Sequence, residues 1–466
     1  MIVELIPSAK RLIRSLRDIG YEFVDAVADI VDNSVEAQAT VVSINLKFEG
    51  EDSYLTIADN GTGMTSKEIQ EALRFGSNRA YGDLDDLGRY GLGLKTASLS
   101  QCERLTVSSR RGEERARINS YCWDLDHIEK TNRWEILKID REELKEEVLN
   151  HMHETTGTVV TWERLGRLLG YKYPSGEHAR KQAELMAESL KIHLGMVFHR
   201  FLSGDIYGKR IAIYINDERV VPWDPYSRGE KHTQEIDPIY IPLVFNEGTY
   251  KVKIQPYILP PQSLYSSTKA HLNASGPGKW NKQQGLYIYR SNRIIQAGGW
   301  SGLRTSDEHT KLARIAVFIP SQLDELFQVN VAKKHLSLPR EFRATLLKEI
   351  QPIVTRAQEI YRDKLTQIPG LGGDVLGADP SEKNGLNIST LSHVQTNSTE
   401  ATFLRNDLLK ANNLQIDRLV TRAIRKAGIS YEEKKFSSLM NDFFDLADGE
   451  DKQVLIKLLR KYLIVS

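Results

Sequence analysis

Three short polar pieces between residues 29 and 96 constrain this chain most. They read Asp-Ile-Val-Asp-Asn-Ser-Val-Glu (29–36), Asp-Asn-Gly-Thr-Gly-Met (59–64) and Gly-Arg-Tyr-Gly-Leu-Gly-Leu-Lys-Thr (88–96). The first falls in a helical region over 8–38, where Leu12, Ile13, Leu16, Ile19, Phe23, Val24, Val27, Ile30 and Val31 recur every three or four residues. Gly20 divides that region into an entry helix and a longer second one. The second piece ends a pair of strands over 40–48 and 53–58, dense in β-branched residues. The third follows a helix over 66–75 and a glycine-containing loop over 76–90, and it opens a helix over 91–99.

Each piece suits one part of a nucleotide. Asp29, Asn33 and Glu36 are spaced i, i+4 and i+7 and share one helix face. Asn33 offers a neutral oxygen to a hard cation such as Mg2+. Asp29 can orient an attacking water or accept its proton. Asp59 stands at a strand end as an acceptor-only carboxylate, suited to the exocyclic amine of adenine. Gly61 and Gly63 beside it let backbone approach a flat ligand closely. Around Gly91 and Gly93 a glycine-rich turn opens a helix, so backbone N–H groups and the helix dipole favour phosphate, with Lys95 and Thr96 in the first turns. Taken singly, the three pieces equally describe a solvated helix face, an Asp-Asn-Gly turn and a glycine turn without a ligand.

Three familiar motifs are excluded. Leu94 between Gly93 and Lys95 breaks a P-loop. Thr96 stands where a dinucleotide fingerprint needs glycine. Gly61 and Gly63 occupy positions where a calcium loop needs acidic or amide side chains, and Gln70 the position where it needs Glu.

Together and in this order, the pieces resemble the GHKL ATPase superfamily, which includes the gyrase B subunit, MutL, histidine kinases and the ninety-kilodalton heat-shock chaperones. Asp-Asn-Ser-Val-Glu-Ala (32–37), Phe75-Gly76-Ser77-Asn78 and Tyr90-Gly91-Leu92-Gly93-Leu94-Lys95 look most like MORC proteins and their prokaryotic relatives. The resemblance implies ATP and Mg2+ as cofactors, with Asn33 on the metal and Asp59 on adenine. It puts Gly61, Gly63 and Met64 beside the base, and 74–90, with Ser77 and Asn78, in a lid. Gly91, Leu92, Gly93, Leu94 and Lys95 fall at the phosphates, and Thr158 of Gly157-Thr158 meets phosphate as well. Lys333, in Phe-Gln-Val-Asn-Val-Ala-Lys-Lys-His-Leu-Ser-Leu (327–338), resembles the lysine that a transducer domain returns to the γ-phosphate. One departure stands out: the catalytic Glu of MutL and MORC proteins is Asp29 here, shorter by one C–C bond of about 1.5 Å.

The implied fold is α+β. A Bergerat-type α/β sandwich over 1–168 has a mixed sheet covered by helices. A transducer-like α+β domain over 169–340 follows, then a helix over 341–365, a flexible linker over 366–400 and a small helical unit over 401–466. The implied activity is slow ATP hydrolysis with ATP-dependent closure of a homodimer on DNA or a DNA-bound partner. A non-hydrolysing nucleotide-gated protein-binding module and a chaperone-like ATPase are the alternatives. Asn292-Arg293, inside Gly-Leu-Tyr-Ile-Tyr-Arg-Ser-Asn-Arg-Ile-Ile (285–295), resembles a structural strand-pair turn of MORC proteins. His151 and His153 read as a solvated pair, since no ligand cluster joins them.

The bulk numbers restrict the setting. Formal net charge is +1 over 466 residues, which gives no overall basic surface. No apolar run is long enough to span a membrane, and no signal-peptide pattern opens the chain. Cys102 and Cys122 are the only cysteines, consistent with a reducing, cytoplasmic location.

Overall fold

The computed structural model describes residues 7–18, 21–76, 93–112, 117–154, 156–246, 248–328 and 336–366. Ser77, Asn78, Gly91, Leu92 and Lys333 lie outside them, as do the expected linker beyond Thr366 and the unit 401–466.

The N-terminal part is built on one eight-stranded mixed sheet. Its strands are β1 (Val41–Lys47), β2 (Tyr54–Asp59), β3 (Arg104–Arg110), β4 (Asn119–Asp124), β5 (Leu137–Lys138), β6 (Gly157–Glu163), β7 (Ala212–Ile215) and β8 (Glu218–Arg219). Their order is β5-β4-β3-β6-β2-β1-β7-β8. β1 alternates, with Val42, Ile44 and Leu46 buried between more exposed neighbours, whereas every residue of β2 is buried. β2 is therefore a central strand, and Asp59 reaches the end of a strand covered on both faces. The helices of this part are α1 (Ala9–Arg17), α2 (Phe23–Glu36), α3 (Ser66–Leu73), α4 (Gly93–Gln101), α5 (Leu125–Thr131), α6 (Glu146–Glu154), α7 (Gly166–Leu169), α8 (Glu177–Val197) and α9 (His199–Ser203). Ser8 caps α1, and Thr65 with Glu68 forms a capping box on α3.

The first sheet crosses the boundary drawn at 168/169. β7 pairs in parallel with β1, Val41 opposite Ala212 and Ile44 opposite Ile215. On α8, Ala183, Ala187, Leu190 and Leu194 enter the same core as Val27, Ile30 and Val31 of α2. The apolar stripe of α8 thus packs behind the motif helix.

A second sheet follows, with β9 (Gln234–Glu235), β10 (Ile239–Phe245), β11 (Gly248–Ile258), β12 (Gly285–Arg290), β13 (Arg293–Ala297) and β14 (Ala313–Ile319). Its order is β10-β11-β14-β12-β13, with β9 beside β11. Two short helices, α10 (Thr268–Ala274) and α11 (Lys279–Gln283), precede β12. The long α12 (Arg340–Thr366) covers this sheet through Phe342, Leu346, Ile350, Val354 and Ala357, a run at three-to-four spacing in a separate core. The fold is α+β, as the sequence predicts. Among the described residues no helix is long and apolar enough to cross a membrane.

Candidate active site

The site grows from α2. Seven consecutive residues, Ala26 to Asp32, are buried there, so two carboxylates are buried with the apolar ones. Asp29 and Asp32 lie three apart and both meet the guanidinium of Arg293 from β13. Arg293 Nη1 donates to Asp29 Oδ1 at 3.0 Å and also to Asp32 Oδ2. The Tyr21 hydroxyl donates to the other oxygen of Asp29, Oδ2, at 3.1 Å. Burial, and then the Asp29 charge, hold the Tyr21 phenol far above its ordinary range, so it remains a donor. Burial disfavours the Arg293 charge, but Asp32 and Asp29 outweigh it and raise its pKa.

Two residues beyond Asp32 on α2, the Ser34 hydroxyl donates to Asp59 Oδ2 at 3.1 Å. Asp59 Oδ1 accepts from the backbone N–H of Gly61 at 2.9 Å and of Thr158 at 3.3 Å. Burial raises the Asp59 carboxyl above its usual range, and the Gly61, Ser34 and Thr158 donors oppose that rise. Two glycines make this close approach feasible. Gly63 has φ +68°, and a Cβ there would stand 2.1 Å from the Arg110 carbonyl oxygen. At Gly157, φ +139°, a Cβ would meet the Asp59 carbonyl oxygen at 1.9 Å. Met64, half-buried, donates its N–H to Ser109 Oγ at 2.7 Å, and that hydroxyl also pairs with Thr158 Oγ1 at 2.9 Å.

Four sequence pieces therefore converge. Ser34 ties the first to the second, and Thr158 ties the second to β6. The third arrives at the first through Gly93, whose Cβ, if it had one, would lie 3.9 Å from Asp29 Oδ2. Leu94 is half-buried against the same core.

Two expected placements change. Thr158 is expected at phosphate, but β6 runs antiparallel to β2 with Thr158 opposite Asp59, so it stands at the Asp59 end. Lys95 is expected at phosphate, but its Nζ donates to the carbonyls of Ala72 at 2.9 Å and Arg74 at 2.7 Å. Those carbonyls close the C-terminal end of α3, where a cation is favoured. Burial pushes the Lys95 ammonium down to about 8, with Glu71 opposing.

His151 was missed. It is half-buried, and its Nε2 lies 2.8 Å from the Asp59 carbonyl oxygen, while His153 is exposed. The available signal was Val148 and Met152 at i, i+4, which seat α6 against Ala58 and Val159. Arg293 carried no local signal, because its partners lie 264 and 261 residues away.

A divalent cation, which such a site implies, finds a fitting ligand. Asn33 is half-buried on the Asp29 face, and no hydrogen bond among the described residues occupies its carboxamide.

A mixed sheet backed by helices, with an acidic helix face, a strand-end Asp and a glycine-opened helix meeting at one end, defines a nucleotide-binding α/β sandwich. Residues 21–158 match the family model described as histidine kinase-, DNA gyrase B- and HSP90-like ATPase. This N-terminal region belongs to the GHKL ATPase superfamily. Similar curated proteins include the DNA mismatch repair protein MutL of Thermosipho africanus, 31% identical over 98 residues, covering 20% of this chain and 17% of that protein. MutL of Aquifex aeolicus is 27% identical over 119 residues, covering 25% of this chain and 28% of that protein. The DNA mismatch repair protein MLH1 of Saccharomyces cerevisiae is 32% identical over 96 residues, covering 20% and 12%. The match thus spans no more than 28% of the length of these three relatives.

Proposed function

We propose that this chain binds ATP with Mg2+ and hydrolyses it slowly, using the cycle as a conformational switch. The observation that carries this reading is that Ser34 joins the motif helix to Asp59, Thr158 joins Asp59 to β6, and Gly93 comes up against Asp29. Asp59 accepts the adenine amine, and Gly61, Gly63 and Met64 line the base. Asn33 holds the divalent cation, which supplies charge screening along the phosphates. Backbone N–H groups at the start of α4 meet phosphate. Asp29 orients a water and takes its proton as the water attacks the terminal phosphorus; the bond to the bridging oxygen breaks, giving ADP and phosphate. Lys333 supplies a cation to the terminal phosphate, and Thr158 serves the base end through Asp59.

The switch is proposed to close a homodimer on DNA or a DNA-bound partner. Support comes from the relatives' names as DNA mismatch repair proteins and from the resemblance to MutL and MORC proteins. Asp at the position of Glu, already engaged by Arg293, favours a second reading: a nucleotide-gated binding module that hydrolyses ATP very slowly or not at all.

Titration with a fluorescent ATP analogue, with and without Mg2+, tests the first step. Saturable binding displaced by ATP and lost in Asp59→Ala is expected; equal binding by wild type and variant contradicts it. A gel shift with duplex DNA at low salt, with and without a non-hydrolysable ATP analogue, tests the partner. A shift that depends on the analogue is expected. No shift in either condition argues against DNA.

A further inference from the structure

The hairpin between β12 and β13 is where the second sheet touches the motif helix. Ser291 and Asn292 sit in the left-handed region, φ 46° and 70°, and reverse the chain in two residues. Three arginines fix this tip. Arg290 Nε donates to the Asp324 carboxylate at 2.8–2.9 Å, with both residues buried. Arg200 Nη1 donates to Asn292 Oδ1 at 2.5 Å. Arg293 turns the other way, into α2, where it is 4% exposed and meets Asp29 and Asp32 while its guanidinium lies 5.8 Å from the Phe198 ring centre.

Two buried carboxylates one turn apart repel, and a buried carboxylate without compensation is destabilising. One guanidinium here answers both. A single nitrogen, Nη1, donates to both, and it stands one bond of about 1.3 Å farther along the side chain than a lysine ammonium would reach. Asp29 is also the residue whose short side chain has the least latitude: its two oxygens are held by donors from different elements, Arg293 on β13 and Tyr21 before α2. A carboxylate gripped this way keeps a single orientation.

We propose that Arg293 is the positioning residue for Asp29. It holds the water-activating carboxylate aimed, and it makes the β12–β13 hairpin of the second sheet a required part of a centre whose Asp29 and Asp59 belong with the first. The inference rests on the ATPase reading above. Movement of the hairpin tip changes hydrolysis without changing how tightly nucleotide binds, because Asp59 and its donors do not touch Arg293.

The test uses the full chain and measures three quantities: nucleotide Kd, kcat for phosphate release, and Tm. Arg293→Lys keeps the buried charge but sets it back by one bond of about 1.3 Å from both carboxylates; kcat is expected to fall about 10²-fold, with Kd unchanged. Adding Asp32→Asn to Arg293→Lys leaves one cation facing one carboxylate, and kcat is expected to recover at least tenfold. Asn292→Gly is the milder probe: it keeps the left-handed turn, removes the Arg200 bond, and is expected to lower kcat about tenfold, on the same positioning grounds. A purely structural role lowers Tm and moves kcat in none of these. If folded Arg293→Lys or, should that variant not fold, Asn292→Gly keeps wild-type kcat, the proposal is overturned. Failure of the underlying ATPase reading looks different, because wild type itself then releases no phosphate above Asp29→Asn.

Discussion

The Ser34 hydroxyl donates to Asp59 Oδ2 across 3.1 Å, so a side chain of the motif helix sets the orientation of a carboxylate on the central strand. Asp59 is buried and receives two further donors, the N–H groups of Gly61 and Thr158. Asp59→Asn is expected to fold, because the Ser34 hydroxyl can rotate and accept from the new amide. Adenine-nucleotide affinity should fall 10- to 100-fold, as expected for loss of a charged hydrogen bond worth about 1.5–3 kcal/mol. Calorimetric titration with ATP checks this; affinity within threefold of wild type on that ~1.4 kcal/mol-per-decade scale counts against the assignment.

Gly63 is limited twice, by its positive φ and by the Arg110 carbonyl 2.1 Å from where a Cβ would stand. Gly76 also has positive φ, +71°, but has nothing within 4 Å of that position. Gly63→Ala should therefore lose about 2–4 kcal/mol, from strain plus overlap, and Gly76→Ala about 1 kcal/mol, from strain alone. Thermal unfolding of both variants ranks them, and equal Tm losses contradict the argument.

Lys95 carries a pH signature. Its ammonium is buried against the carbonyls that end α3, and its pKa is pushed down to about 8, against 10.5 when unperturbed. Between those values the unfolded chain binds more protons than the native one, so stability from this residue rises with pH. The Tm difference between wild type and Lys95→Met should move in favour of wild type from pH 8 to pH 10. A flat difference shows that burial leaves the lysine unperturbed.

His199 gives the acid counterpart. It is buried beside the Tyr289 hydroxyl, Nε2 to oxygen 2.8 Å, and burial lowers its pKa to about 4, with Asp224 opposing. The unfolded histidine protonates near 6.5, so the stability is present in full above that pH and is lost as pH falls toward 4. The full effect is on the order of 3 kcal/mol. His199→Gln should flatten this acid loss, as read by Tm at pH 4.5 and pH 7.5 relative to wild type.

How much of this was legible depended on sequence distance. The helix spacing of Asp29 and Asn33, the strand-end place of Asp59 and the helix opened by Gly93 are local patterns, and each stands where its spacing predicts. Thr158 and Lys95 belonged to the right region, but their contacts depend on which strand lies beside Asp59 and where α3 ends. His151 hid because two histidines around a methionine look solvated until α6 is packed. β7 falls within 169–340 yet joins the first sheet, because its partner β1 lies far back in the chain. Arg293 shows the limit most clearly: a turn that reads as structural carries the cation for two carboxylates of the motif helix, and no local pattern encodes that pairing.

Steady-state phosphate release from ATP and Mg2+, measured side by side for wild type and Asp29→Asn, tests the central claim most directly. The account predicts slow but measurable release by wild type and loss of about 10²-fold or more in the variant, the usual scale for a positioned base, while ATP still binds both. Wild-type release no greater than that of Asp29→Asn, with ATP bound, contradicts hydrolysis and leaves a nucleotide-gated binding module.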